Sequence, residues 1–156
     1  MNAENKEFIR PIGDYRGLIV YKKGECIYDL TFHFATRFLD KKDRTVDQMV
    51  QAARSGKQNI IEGSAAAVTS RETEIKLFNV AKASFDELLA DYEDYLRVRG
   101  LGLWDEEKQR RVRDFCRVNN DSELYRRIFV GEVFSELTSL RSSFPALPRA
   151  VPHRSV

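Results

Sequence analysis

The sequence predicts an all-α fold, a bundle of four main helices with an extra short helix before the last. Three observations lead there. Apolar residues recur at three- and four-residue spacing through most of the chain, and no strand-like alternation stands out. Two capping-box pairs, Thr45 with Gln48 and Thr69 with Glu72, mark helix starts. Breakers such as Gly63, Gly100 and the Asn119–Asp121 run separate the helical stretches.

Residues 1–14 read as a flexible leader punctuated by Pro11 and Gly13. The first helix is predicted from Leu18 to Phe38, where Ile27, Leu30, Phe34 and Phe38 are spaced by three and four. Gly24 is a weak point in its first turns. Residues 39–45 are mostly polar and form a connection. A second helix starts at Thr45 and runs to about Ile61 with Gly63 as its C-cap. Small residues at 64–70 connect to a third helix that meets no Pro or Gly before Gly100. Its length is about 29 residues, roughly 43 Å. Its apolar set, Leu77, Phe78, Val80, Ala81, Phe85, Leu88, Leu89, Tyr92, Tyr95 and Leu96, is wider than one stripe. Such an arc calls for more than one neighbour, another subunit included. A short basic helix follows at about 105–117, and Asp121 caps a last helix running to about Leu140. The domain therefore spans 15–141. The tail at 142–156, with three prolines and no acid, is expected to be disordered.

With 42% hydrophobic and 32% charged residues the composition is that of a globular protein. No apolar run reaches transmembrane length, so no membrane partner is expected. The start lacks a signal-peptide pattern, and the cytoplasm is the expected location. Cys26 and Cys116, far apart and without a CxxC, read as reduced thiols. The net charge of +2 is unevenly spread: +3 over residues 1–57, −6 over 58–107 and +5 over 108–156. Separate acidic and basic faces follow.

No motif for catalysis or a cofactor stands out. His33 and His153 are the only histidines, and no HExxH, paired ExxH, phosphate loop, GxSxG or Cys–His pattern occurs. No metal site, catalytic residue or cofactor is expected, and the protein reads as non-enzymatic. The carboxylates of the stretch DYEDY (91–95) are explained by a solvated helix face or by Arg97 and Arg99 nearby.

The stretch AARSGKQNIIEGS (52–64) raises the choice between site and packing seam. On a helix, Met49, Ala52, Ala53, Gly56, Ile60 and Gly63 form a narrow face of mostly small residues. Gly56 costs about 1 kcal/mol relative to Ala in a helix interior, which close backbone approach offsets. Ser55, Asn59 and Glu62 form an adjacent polar line, and Asn59 suits a tie between helices. The alternative, Glu62 as a general base or metal ligand, lacks a nearby histidine. The packing seam of Gln48, Ala52, Ser55, Gly56, Asn59, Glu62 and Gly63 is the better reading.

The best binding feature is KQRRVRDFCR (108–117). Arg110, Arg113 and Arg117 recur as one helical stripe, flanked by Arg111 and Lys108. The planar guanidinium suits phosphate. Arg54 and Lys57 add to this surface where they lie on the same side. A solvated face paired with the acidic third helix is the competing explanation.

The run Gln48-Met49-x-x-Ala52-x-x-Ser55-x-x-x-Asn59-Ile60-x-Glu62-Gly63 resembles the signature of the small bacterial four-helix bundle proteins. These include the proteins encoded in intervening sequences of large-subunit ribosomal RNA genes and the accessory variability protein of diversity-generating retroelements. Tyr15, Leu18, the acidic ETE (72–74) and ASFDELLADYEDYLRVRGL (83–101) agree, so the likeness spans residues 15–101. RSGKQNIIEG is more similar to the four helix bundle suffix domain branch. The resemblance implies an up-down four-helix bundle without established catalytic activity. Some relatives are ring-like homopentamers with a basic surface that binds nucleic acid. Two functions are therefore expected in competition: an oligomeric bundle binding nucleic acid with little sequence specificity, and a protein-interaction scaffold without nucleic acid.

Overall fold

The computed structural model describes residues 14–133, and the leader and the tail assigned from sequence lie essentially outside them. Five α-helices follow a short 3-10 turn at Tyr15–Gly17: α1 (Ile19–Phe38), α2 (Arg44–Ala66), α3 (Arg71–Val98), α4 (Glu106–Val118) and α5 (Ser122–Tyr125). The chain then widens into a π-helical segment at Arg126–Val133. No strand occurs among the described residues.

Local chemistry explains most helix ends. Asp43, rather than Thr45, caps α2: its carboxylate accepts the Thr45 N–H at 2.9 Å. Hydrogen bonds from Thr45 hold the Asp43 carboxyl below its usual range. Ser70, rather than Thr69, caps α3, accepting the Thr73 N–H at 3.2 Å, while the Thr69 hydroxyl turns back to the Ala66 carbonyl. Gly100 has φ +62°, and the Leu101 N–H reaches the Leu96 carbonyl at 2.9 Å, a Schellman stop for α3. Gly63 does not end α2. The helix runs three residues further, and Gly63 is buried where Leu77 and Phe78 would touch an added Cβ at 3.4 Å. Its lack of a side chain serves contact, not a turn. The last helix is capped by Asp121 as the sequence indicates, but it is α-helical only to Tyr125. Its predicted end at Leu140 lies outside the described residues.

The body is α1, α2 and α3, with α2 packed against both others. Gly24 of α1 faces Lys57 and Ile60 of α2, whereas Ala35 and Leu39 cluster with Met49, Ala52 and Ala53, so the two run antiparallel. Gly56 faces Phe85 and Gly63 faces Leu77, so α2 and α3 are antiparallel too. α1 reaches α3 through side chains. Phe34 packs its ring against Tyr92 and Tyr95, and the Tyr92 hydroxyl donates to Thr31 at 3.0 Å. Burial pushes the Tyr92 phenol above its ordinary range. Met49 and Ile60 are fully buried, each contributing about 1.5–3 kcal/mol.

The broad apolar arc of α3 is not fully covered by the other described residues. Ala81, Ser84 and Leu88 are buried, but Ile75, Val80, Leu89 and Val98 are exposed. The terminal segment α5–π lies along α1, with Ser122 hydrogen-bonded to Asp29 and Val130 near His33 and Arg37. Among the described residues, no α-carbon of α4 comes within 8 Å of one in another helix.

One ring organises the three-helix body. Phe85 of α3 points between two glycines, and an added Cβ would lie 2.5 Å from it at Gly56 and 3.6 Å at Gly24. Gly56→Ala is expected to destabilise the protein by about 1–3 kcal/mol through overpacking, despite the roughly 1 kcal/mol gained in helix propensity. Urea unfolding measures it. Adding Phe85→Leu should recover part of the loss, whereas a stabilised Gly56→Ala protein would mean that the ring has room to move.

Candidate nucleic-acid interface

Helix α4 begins at Asp105, whose carboxylate accepts the Lys108 N–H at 2.8 Å. Glu106 and Glu107 occupy its first turn and Arg117 its last, the order the helix dipole favours. The helix buries no residue. Arg110, Arg111, Arg113 and Arg117 are all exposed. Arg117 lies 3.6 Å from Asp114, with both side chains largely in water, so this pair holds the guanidinium only weakly. Arg110, Arg111 and Arg113 have no ion-pair partner among the described residues. The acidic third helix therefore does not neutralise them within the described chain. Its own charges pair along the helix instead, Lys76 with Glu72, Lys82 with Asp86 and Arg97 with Asp94.

The remaining basic candidates sit elsewhere. The Lys108 ammonium lies over the Trp104 ring at 4.9 Å, and Gln109 donates to the Trp104 carbonyl. Lys57 of α2 covers the Tyr28 ring of α1 at 4.3 Å, and Arg54 is exposed on α2. No α-carbon of α2 lies within 8 Å of α4. Arg54 and Lys57 thus belong to the body, and the arginine row forms its own surface.

The stretch 52–64 makes contacts of a different kind. Ala52, Gly56 and Gly63 are buried towards α1 and α3. The polar bond between helices is made by Ser55, whose hydroxyl lies 3.0 Å from that of Ser84 on α3. Asn59 does not cross to another helix: its amide donates back to the Ser55 carbonyl at 2.9 Å. Gln48 and Glu62 are exposed, and Glu62 accepts from Gln58 on the same helix at 3.2 Å. These two side chains face water outside the seam with which the sequence grouped them. Among the described residues no three His, Cys, Asp or Glu side chains gather as a metal site. No helix there is long and apolar enough to cross a membrane.

Sequence reading missed Ser84 and Phe85 as the partners of the seam, and it missed Lys23 and Tyr125 entirely. The Lys23 ammonium donates to the carbonyls of Cys116 and Asn119 and lies 3.0 Å from the Tyr125 hydroxyl. Phe115 of α4 packs its ring on Tyr125 and Phe129. A lysine near the start of the first helix carries no local signal for partners more than 90 residues away.

Comparison of the chain with protein-family models, with curated proteins and with solved structures finds no match at any of the three levels. The likeness over residues 15–101 rests on the residues themselves.

Both cysteines are free thiols. With no α-carbon of α1 within 8 Å of α4, Cys26 and Cys116 are too far apart to be bridged without backbone movement. Burial pushes the Cys26 thiol up to about 11, with Lys23 opposing and Asp29 adding to the rise. The folded protein therefore keeps this proton at pH values where the unfolded chain has lost it. Cys26 should contribute a fall in stability of about 2 kcal/mol as pH rises from 9 to 11, the interval between the ordinary and the raised value. Denaturant unfolding across this range should show a shallower fall in Cys26→Ala. Equal slopes in the two proteins would mean that Cys26 does not hold its proton.

Proposed function

We propose that the protein is a non-enzymatic, homo-oligomeric member of the up-down four-helix bundle proteins it resembles, and that it binds nucleic acid through the phosphates with little sequence specificity. One observation carries the binding reading. Helix α4 presents Arg110, Arg111 and Arg113 to water with no acid on them among the described residues, on a helix that buries nothing. Arg110 and Arg113 start a row along one side of the helix, Arg111 flanks it, and their planar guanidinium groups suit paired oxygens of tetrahedral phosphodiesters. Arg117, loosely paired with Asp114, extends the row by a turn. Contacts of this kind read charge and spacing, not base edges. Repetition of the row around an oligomer multiplies its avidity.

A second reading rests on α3. Ile75 and Leu89 on one side of the buried stripe of α3, and Val80 and Val98 on the other, are exposed large apolar residues suited to another protein chain. A scaffold or adaptor would use one of these flanks and leave the arginines as solvated surface.

Fluorescence anisotropy with single-stranded RNA, single-stranded DNA and duplex DNA at low and high salt separates the two. Binding should weaken steeply with salt, and Arg110→Ala/Arg113→Ala/Arg117→Ala should reduce the slope of log K against log salt by about 2–3 with the helical circular dichroism unchanged. Unchanged affinity in the triple variant would remove the row from the interface. Absence of binding at low salt would favour the scaffold.

A further inference from the structure

The arginine row is only as well placed as the helix that carries it, and α4 has few ties. Among the described residues, no α-carbon of its N-terminal half, with Arg110, Arg111 and Arg113, comes within 8 Å of another helix, and Lys108 and Gln109 there meet the preceding Trp104. The described ties to α1 and to the terminal segment are at its C-terminal end. Phe115 meets Tyr125 and Phe129, and Cys116 and the capping residue Asn119 meet Lys23. A helix leaves its last four carbonyls without partners and carries negative partial charge there. In α4 the Phe115 carbonyl is taken by the Asn119 backbone and side chain. The Cys116 carbonyl is taken by Lys23, and so is that of Asn119. The Tyr125 hydroxyl completes the arrangement, 3.0 Å from Lys23 Nζ and from the Asn119 carbonyl and 3.2 Å from the Cys116 carbonyl. The ammonium also lies 5.5 Å from the centre of the Tyr125 ring. One charged group on α1 thus joins the end of α4, the corner after it and the start of the terminal segment.

The geometry points to Lys23 as a positioning residue for the basic helix: its ammonium fixes the C-terminal end of α4 on α1 and so holds the arginine row in one orientation on the three-helix body. Lys23 is half-buried beneath these carbonyls and is not part of the arginine surface. Its influence on an anionic ligand is therefore exerted through α4. The inference deepens the nucleic-acid reading and rests on it for its functional consequence, but its structural half stands without it. Hydrogen bonds to a charged group are among the strong ones, so their loss should free the end of the helix measurably.

Cys116 is a built-in reporter, lying in the attached turn. Cys116 is half-buried there, and in a Cys26→Ala background the rate of its modification by N-ethylmaleimide rises as that turn loosens. Lys23→Met should raise this rate about tenfold. Lys23→Arg, which keeps the charge and the donors, should stay within about twofold of the parent. Tyr125→Phe, which keeps the ring and loses the hydroxyl, should fall between them. In parallel, anisotropy with a fluorescent oligothymidylate should show affinity reduced about threefold to tenfold in Lys23→Met, because the arm must be ordered on binding. The salt slope should be unchanged, since no phosphate contact is lost.

A labelling rate unaffected by Lys23→Met, with helical content intact, would overturn the proposal. So would a salt slope reduced by about one, which would make Lys23 a direct phosphate contact. If Lys23→Met does not fold, the ranking of parent, Lys23→Arg and Tyr125→Phe decides, and equal rates in all three would overturn it. If the parent binds no oligonucleotide, the nucleic-acid reading fails, while the labelling rates still decide whether Lys23 holds α4.

Discussion

The three-helix body depends on a ring pressed against one glycine and at ordinary contact distance from a second. Phe85 projects from α3 towards Gly56 of α2 and Gly24 of α1, and no side chain larger than hydrogen fits at Gly56 without displacing it. Glycine inside a helix is unfavourable by about 1 kcal/mol, so two of them in the facing helices need an offsetting gain. Close approach supplies it. It lets Ser55 and Ser84 meet at 3.0 Å, brings Met49 and Ile60 fully out of water and sets Gly63 against Leu77 and Phe78. The polar groups at this contact are satisfied within it, Ser84 also reaching the Val80 carbonyl and Asn59 the Ser55 carbonyl.

That contact also separates the molecule into two kinds of surface. Small and aromatic residues at 52–85 are used for packing. The arginines of α4 make no such packing and remain in water. Towards its end, acids crowd α3: burial and the nearby Asp94 and Glu87 raise the Asp91 carboxyl above its usual range. The Arg97–Asp94 pair offsets part of this locally, but nothing from α4 does. The basic helix is thus neither a core element nor the electrostatic partner of α3 within the described chain. It is the part of the fold with the most freedom to meet something else.

Local chemistry was legible in the sequence, and distant chemistry was not. The Asp121 cap, the stop at Gly100 and the helix bodies all follow from residues within a turn of one another. Boundaries slipped where two cap-forming residues stood close together. Asp43 and Ser70 hold the caps for which Thr45 and Thr69 had the right spacing. Gly63 reads as a C-cap because glycine so often ends a helix, yet its neighbours Ser64, Ala65 and Ala66 continue α2, and its use is to admit Leu77 and Phe78. The seam's small residues were visible as a face, but not the ring that fills it. Gln48 and Glu62 lie on the same helix as the seam without sharing its contacts. The Lys23 tie spans more than 90 residues and carries no local signature, so only the folded chain reveals it.

The separation of a packed body from a loosely tied basic helix is open to direct test by native-state hydrogen exchange. Amides of α2 and α3 around Ser55–Ile60 and Ala81–Leu88 should exchange only through global unfolding. Those of Arg110–Asp114 should exchange through a local opening several kcal/mol lower, about 2 kcal/mol or more below the global value. Protection of the α4 amides equal to that of α2 would contradict this division and make the basic helix an integral part of the core.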